Sequence, residues 1–286
     1  MNIMNYATRE VVTVPPDSTI DKAITLMEEF DIHHLVVTAG AHVVGMVSDR
    51  DILLSTGWML AAERKAPAGS DSRVIGPTRV DQIMSRTTTT LSNSDEARDA
   101  ARIFVSAKIG ALPVLFETRL IGLVTEKDLL RWLSDLAYGG NAADLLLQKP
   151  VRELMRAHVI SVPPRATLGD IVDTFRRYRI RHVPVAIGGE LLGIVSDRDV
   201  RRALGWSSIR EAQADEEGEL FDGPQTASDI MQSAVRATGV NTALRTALAV
   251  MLESRVHSLP VVEAGTLLGM LTQTDFVKAL AREDLL

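Results

Sequence analysis

Apolar positions recur along the chain in a fixed order: a short β-branched run, a helical stripe, two strand-length runs and a second helical stripe. In the first unit, Glu10-Val-Val-Thr-Val14 ends at Pro15-Pro16, where the missing ladder donor stops a strand. Asp17, Ser18 or Thr19 supplies a helix cap. Ile20, Ala23, Ile24, Met27 and Phe30 follow at helical spacing and predict one apolar face. His34-Leu-Val-Val37 and the run from Val43 to Val47 predict two strands around the small-residue turn Ala39-Gly40-Ala41. The stripe returns as Ala97, Ala100, Ala101, Phe104 and Ala107. It returns again as Leu168, Ile171, Val172, Phe175 and Tyr178, and finally as Leu244, Ala247, Leu248, Met251 and Ser254. Gly188-Gly189 and Ala264-Gly265 mark the matching turns. These positions predict packing and carry no chemistry.

The second strand of each unit runs into a common motif. Its copies are Gly45-Met-Val-Ser-Asp-Arg-Asp51, Gly122-Leu-Val-Thr-Glu-Lys-Asp128, Gly193-Ile-Val-Ser-Asp-Arg-Asp199 and Gly269-Met-Leu-Thr-Gln-Thr-Asp275. A periodic apolar run follows each aspartate, so the motif predicts a strand turning into a helix with Ser or Thr at the helix start. Glycines 45 and 193 lie 148 residues apart, and glycines 122 and 269 lie 147 apart. Flanking pairs keep the same offsets: Thr13-Val-Pro-Pro16 with Ser161-Val-Pro-Pro164, Gly57-Trp58 with Gly205-Trp206, and Ile83-Met84 with Ile230-Met231. The pattern is a two-repeat unit duplicated. A β-α-β-β-α unit of about 55 residues is near the lower limit for burying its own core, and pairing relieves that limit. The predicted class is α/β (α+β), with four such repeats packed as two pseudo-symmetric pairs.

Repeats of about 1–58 and 80–134 make a first module over 1–134, and repeats of about 150–206 and 227–286 make a second over 150–286. Residues 135–149 are expected to be a linker with a helical piece at Ala142 to Leu147. Ala61 to Arg79 and Ser207 to Thr226 are long and polar, and the second contains the acidic run Asp215-Glu-Glu-Gly-Glu219. Both are expected to be loops inside a pair.

Composition narrows the function. The chain has 286 residues, 46% apolar and 24% charged, enough to bury a core. A net charge of -6 argues against general nucleic-acid binding. The absence of cysteine excludes disulfides, thiolate metal sites and cysteine nucleophiles. Neither a signal-peptide pattern nor an apolar run of about 20 residues is present, so a cytoplasmic protein is expected. No Gly-x-Ser-x-Gly, P-loop or His-Glu-x-x-His occurs, and His42 and His158 lack metal-ligand spacing. No metal and no catalytic residue are expected.

The Ser/Thr-x-x-Asp pattern has two readings. It matches a capping box, in which the hydroxyl caps a helix amide and the acid answers the cap. It also suits a nucleotide, because a helix start offers free amides to phosphate and a carboxylate can accept both hydroxyls of a ribose. Arg50 and Arg198 add a forked cation beside the carboxylate, and Lys127 adds a point charge. Thr274 fills that place in the fourth repeat.

These four motifs, in register with their strand, helix and turn signals, resemble CBS domains. Two such domains pack as a Bateman module, and the chain resembles two modules with no attached catalytic domain. The resemblance implies a cleft that binds AMP, ADP, ATP or S-adenosylmethionine. It assigns ribose and phosphate to Ser48 and Asp51, Thr125 and Asp128, Ser196 and Asp199, and Thr272 and Asp275. At the start of the middle strand, the AMP-activated kinase γ subunit has similar segments whose His and Arg meet phosphates. The matching candidates are His33, His34, Arg181, His182 and His257. Neighbours on a strand face opposite ways, so one of His33 and His34 faces a given pocket. The second repeat has Gly110-Ala111 there, which predicts a weak phosphate grip or a preference for a neutral tail. The basic run from Arg176 to Arg181 is expected to be a solvated helix end, with anion binding as the alternative. The expected function is a non-catalytic regulatory sensor, homodimeric through its modules, that signals to a partner protein. The alternative is a CBS scaffold for dimerisation with no ligand.

Overall fold

Alternating strand residues become four β-hairpins of one design. The structure, a computed structural model, describes residues 2–55, 77–86, 89–204 and 224–282. Gly57-Trp58, Gly205-Trp206, the acidic run and most of both polar connections lie outside the described residues.

The first repeat contains β1 (Thr13–Val14), α1 (Ile20–Glu29), β2 (His34–Ala39), β3 (His42–Ser48) and α2 (49–55). The second contains β4 (Leu91–Ser92), α3 (Ala97–Ala107), β5 (Ala111–Phe116), β6 (Arg119–Thr125) and α4 (Glu126–Leu136). The helix α5 (Ala142–Gln148) follows. The third repeat contains α6 (Leu168–Tyr178), β7 (His182–Ile187), β8 (Glu190–Ser196) and α7 (Asp197–Leu204). Its first strand is reduced to a single bridge, Val162 beside Val185. The short helix α8 (Ala227–Ile230) precedes the fourth repeat, with β9 (Thr238–Gly239), α9 (Leu244–Glu253), β10 (Ser258–Glu263), β11 (Thr266–Thr272) and α10 (Gln273–Leu280). None of the described helices is long and apolar enough to cross a membrane.

The predicted stripes are the core. Ile20, Ala23, Ile24 and Met27 are buried, as are their counterparts in α3, α6 and α9. Thr19 is the cap of α1, accepting from the Lys22 amide at 3.2 Å. The last position of every stripe departs from the expectation: Phe30 and Tyr178 are 51% and 46% exposed, and Ala107 and Ser254 are exposed too. Phe30 is the C-cap of α1 and Tyr178 the last residue of α6, where the apolar stripe has run past the core.

The segment that opens each repeat packs on its partner instead of on its own repeat. Thr8 and Leu123 exchange backbone hydrogen bonds at 2.9 Å each. Ser85 and Met46 exchange bonds at 2.8 and 3.0 Å. Arg156 does the same with Met270, and Gln232 with Ile194. Ile3 accordingly lies in the core of the second repeat, Val80 in that of the first, Val151 in that of the fourth and Ala227 in that of the third. This exchange explains the motif glycine. A Cβ on Gly45 would sit 2.6 Å from the Ser85 carbonyl oxygen, and one on Gly193 would sit 2.6 Å from Met231 Sδ.

Pairing of the third repeat with the fourth is also made through their strands. Thr266 of β11 registers with Glu190 of β8, giving a five-stranded sheet in the order β7-β8-β11-β10-β9. The first two repeats keep separate three-stranded sheets, β1-β2-β3 and β4-β5-β6. The pairs then meet through helices within one chain. Helices α3 and α4 pack on α9 and α10, and the second and fourth repeats share one apolar core. The expected linker is part of that core, because Ala143 and Leu147 of α5 are buried in it. Leu53 of the first repeat enters the core of the third. The order of contact around the molecule is first, second, fourth, third.

Candidate functional site

Each motif hydroxyl and aspartate closes a capping box at a helix start. Asp51 Oδ2 accepts from the Ser48 amide at 2.8 Å and from Ser48 Oγ at 2.7 Å. Asp128 Oδ2 accepts from the Thr125 amide at 2.9 Å and from its hydroxyl at 2.7 Å. Asp199 Oδ2 takes the Ser196 amide at 2.8 Å and its hydroxyl, and Asp275 Oδ2 takes the Thr272 amide at 2.9 Å and its hydroxyl at 2.6 Å. The hydroxyl proton is therefore committed to the carboxylate, and Oδ1 is the oxygen left for other partners. Asp128 Oδ1 meets Arg131 at 3.3 Å, Asp199 Oδ1 accepts from Gln232 Nε2 at 3.1 Å, and Asp275 Oδ1 accepts from Arg156 Nε at 3.0 Å. A ribose at these places shares Oδ1 with, or displaces, those donors.

The box alone does not mark a ligand. Thr167 and Asp170 form the same one at the start of α6, with bonds of 2.9 and 2.6 Å, where Asp170 is exposed. What differs at three of the motifs is burial: Asp128, Asp199 and Asp275 are buried, while Asp51 is half-buried. For Asp128, burial raises the carboxyl above its ordinary range, against the pull of Thr125, Arg131 and Lys127.

The pair Ser196–Asp199 borders a cavity of about 130 Å³ between the third and fourth repeats. Arg181, His182, Arg198 and His257 line it, and so does His33 of the first repeat. Ser258 Oγ, buried at the start of β10, also lines it and has no hydrogen-bond partner. The volume is below the roughly 300 Å³ at which small-molecule pockets begin. A nucleotide fits only with part of it outside, or with the exposed Arg236 and Arg255 at the rim swung aside. A larger, shallower depression of about 390 Å³ lies near Tyr6, Asp135 and Leu252; it touches the motifs only through Arg131, which meets Asp128.

Around the cavity the repeats exchange side chains. His33 Nδ1 lies 2.9 Å from Asp49 Oδ2, which also meets Arg201 Nη1 at 3.1 Å. Burial pushes the Asp49 carboxyl up, but contact with His33 and the Arg201 charge hold it well below the usual range. Asp197, half-buried, is pushed up to about 6 by desolvation and then by the Asp49 charge. Arg198 reaches across to His33 Nε2. Arg50, its charge disfavoured by burial, lies in the field of Arg181 and Asp197. In the other pairing, Thr274 donates to Glu126 Oε1 at 2.9 Å, and burial raises the Glu126 carboxyl. Lys127, lowered by burial and then by Arg131 and Arg255, also sits between repeats.

Three histidines are held neutral at pH 7. Burial, then Arg181, brings His34 down to about 3. Burial, then Arg181 and Arg198, brings His182 to about 4, and burial, then His182 and His33, brings His257 to about 3. His33 faces the cavity, while His34 Nε2 would lie 3.1 Å from a Cβ on Gly110. Arg181 Nη2 would lie equally close to that Cβ, so the side chain missing from the second repeat leaves room for the His34 ring of the first and the Arg181 cation of the third. The basic run divides: Arg176, Arg177 and Arg179 are exposed, and only Arg181 turns inward.

The structure thus brings Ser196, Arg198, Asp199, Arg181, His182, His257 and His33 to one cavity. Ser48, Arg50, Asp51, Thr125, Lys127, Asp128, Thr272, Asp275 and His34 do not line it. Sequence reasoning missed Asp49, Asp197, Glu126 and Gln232. A signal was present for the first three: the residue after the motif hydroxyl is acidic in three copies and Gln273 in the fourth. Among the described residues, no group of three or more His, Asp or Glu side chains could hold a metal ion.

A family model described as CBS domain matches residues 3–55, 80–135, 151–205 and 227–282. The chain belongs to the CBS domain family. Its four CBS repeats account for most of the sequence, and that match includes no catalytic domain. Over 283 residues the chain is 28% identical to the uncharacterized protein MJ1225 of Methanocaldococcus jannaschii, covering 96% of each. The crystal structure of MJ1225, described as a candidate archaeal homolog of γ-AMPK, superposes with a TM-score of 0.81 at 26% identity, covering 98% of this chain and all of that one. A second protein of that organism, MJ1404, is 27% identical over 254 residues, covering 69% of this chain and 60% of its own length. A structure from Pyrococcus horikoshii, at 16% identity and a TM-score of 0.64, shares the fold, covering 98% of this chain and all of that one.

Proposed function

We propose that this CBS chain is a non-catalytic sensor that binds adenosine-containing ligands (AMP, ADP, ATP or S-adenosylmethionine) in clefts between paired repeats. The modules are residues 1–134 and 150–286, joined through 135–149. The observation that carries this reading is the cavity in which the Ser196–Asp199 pair lies beside Arg181, Arg198, His182 and His257. A carboxylate oxygen serves a ribose there, and guanidinium forks and helix-start amides serve phosphate. The likeness to MJ1225 over the whole chain supports a γ-subunit-like role. His33 and Asp49 of the first module border a cavity of the second, so a ligand there changes the packing between modules. A partner then responds through its differential affinity for the two arrangements.

Calorimetric titration with AMP, ADP, ATP and S-adenosylmethionine tests this, on protein shown by mass spectrometry to carry no co-purified ligand. Saturable heat is expected with at least one of them. No heat and no thermal shift with any of the four overturns the reading. The capping boxes favour a second reading, a scaffold for dimerisation or docking, because each motif aspartate already has a structural task.

A further inference from the structure

Resting on the reading of this crevice as an anion site, we propose that ligand binding there is coupled to proton uptake by His182 and His257, so that the protein responds to an anionic ligand and to pH together. Histidines from three repeats meet at the cavity. The His33 and His257 rings lie 5.8 Å apart at 87°, and the His182 and His257 rings lie 6.1 Å apart at 65°. Positive charge surrounds them: Arg181 and Arg198 line the cavity, and Arg236 and Arg255 stand at its rim.

The acids nearby are largely engaged. Asp49 is held by His33 and Arg201, and Asp199 by Ser196 and Gln232. Asp197 sits near 6 because it is desolvated opposite Asp49. In this setting His182 and His257, at about 4 and about 3, are neutral and each offers one N–H donor. An anion in the cavity changes the balance. One negative charge about 4 Å away, in an effective dielectric near 20, is enough to lift an imidazole from about 4 to about 7. The protonated ring then offers two donors and a charge to the ligand. His34, also depressed, lies by Gly110 and outside the cavity, and His33, which lines it, is engaged by Asp49 and Arg198, so the uptake is assigned to the other two lining histidines. Asp197 moves in the same direction, and histidine variants separate its share.

The test is calorimetry of the full chain with ADP at pH 7.0 in PIPES, HEPES and Tris, whose ionisation heats differ. The expected heat varies with buffer in the sense of uptake, about one proton per bound ligand, with affinity falling about tenfold per pH unit for each proton taken up. Pyrophosphate as a second titrant separates the phosphate source: uptake with it supports coupling carried by the phosphates alone. His257→Gln, and separately His182→Gln, reduce the uptake while the ligand's own titration is unchanged. Proton NMR of the imidazole C2 protons in the unmutated chain gives an independent readout, with the His182 and His257 signals together moving toward the charged position by about one ring's worth on addition of ADP. Binding without uptake, or rings that stay neutral, overturns the coupling alone. Absence of any binding overturns the nucleotide reading as well.

Discussion

Replacing Asp199 by alanine, with Asp170→Ala beside it, separates a helix cap from a ligand contact. Both aspartates close the same box: Asp170 holds the Thr167 amide and hydroxyl, and Asp199 holds those of Ser196. Asp170 is exposed, so its loss costs about 1 kcal/mol, the usual worth of a cap. Asp199 is buried and also holds Gln232 Nε2, so its loss adds about 1–3 kcal/mol for donors left without an acceptor. For a chain of this size, that corresponds to a fall in Tm of about 2–4 °C for Asp170→Ala and roughly 5–15 °C for Asp199→Ala. Those losses belong to the architecture and say nothing of sensing. The discriminating quantity is the rise in stability on adding nucleotide, about 2.7 kcal/mol per site when free ligand is one hundred times Kd. Asp170→Ala keeps that rise and the full calorimetric stoichiometry. Asp199→Ala, still folded by circular dichroism, loses one site from both. If Asp199→Ala keeps the same stoichiometry and the same rise as Asp170→Ala, the carboxylate only caps its helix and the argument from the motif fails.

Two further perturbations test the fold and its buried charge. Gly45→Ala places a Cβ 2.6 Å from a backbone oxygen, whereas at Gly193 the close atoms belong to the flexible Met231 side chain. Gly45→Ala is therefore expected to cost more, about 1–3 kcal/mol, with Gly193→Ala below it in chemical denaturation; the reverse order counts against the exchanged segments as the cause of the motif glycine. Asp197→Asn addresses pH. Its folded carboxyl, at about 6, lies above the unfolded value, so its ionisation opposes folding as pH rises through about 4 to 6, and the penalty is complete above 6. Asparagine removes up to about 3 kcal/mol of penalty at pH 7.5 and little at pH 4, so Tm is expected to rise only at the higher pH. An equal effect at both pH values refutes a buried charge penalty.

Much of this architecture was legible because it depends on local periodicity. A helical stripe such as Leu168, Ile171, Val172 and Phe175 needs one buried face whatever covers it, and the four motif glycines recur in register. What was not legible depends on which neighbour does the covering. Ile3, Val80, Val151 and Ala227 are ordinary apolar residues in segments too short to show a period, and nothing local says that each joins another repeat's core. The candidate site divides in the same way. The hydroxyl and aspartate were readable because a helix start dictates both. The cation between them was expected beside its own carboxylate, yet Arg198 goes to His33 of another repeat and Arg50 lies in the field of Asp197. Asp49, Glu126 and Asp197 formed a visible column, but an acid in a helix's first turn already has a sufficient local reason in the dipole. Their contact with other repeats is the added fact, and it arises only when the helix starts meet in pairs, first with third and second with fourth. The residues that distinguish this site from an exposed cap such as that at Thr167 are thus set by tertiary contact, and a one-repeat reading could not have singled them out.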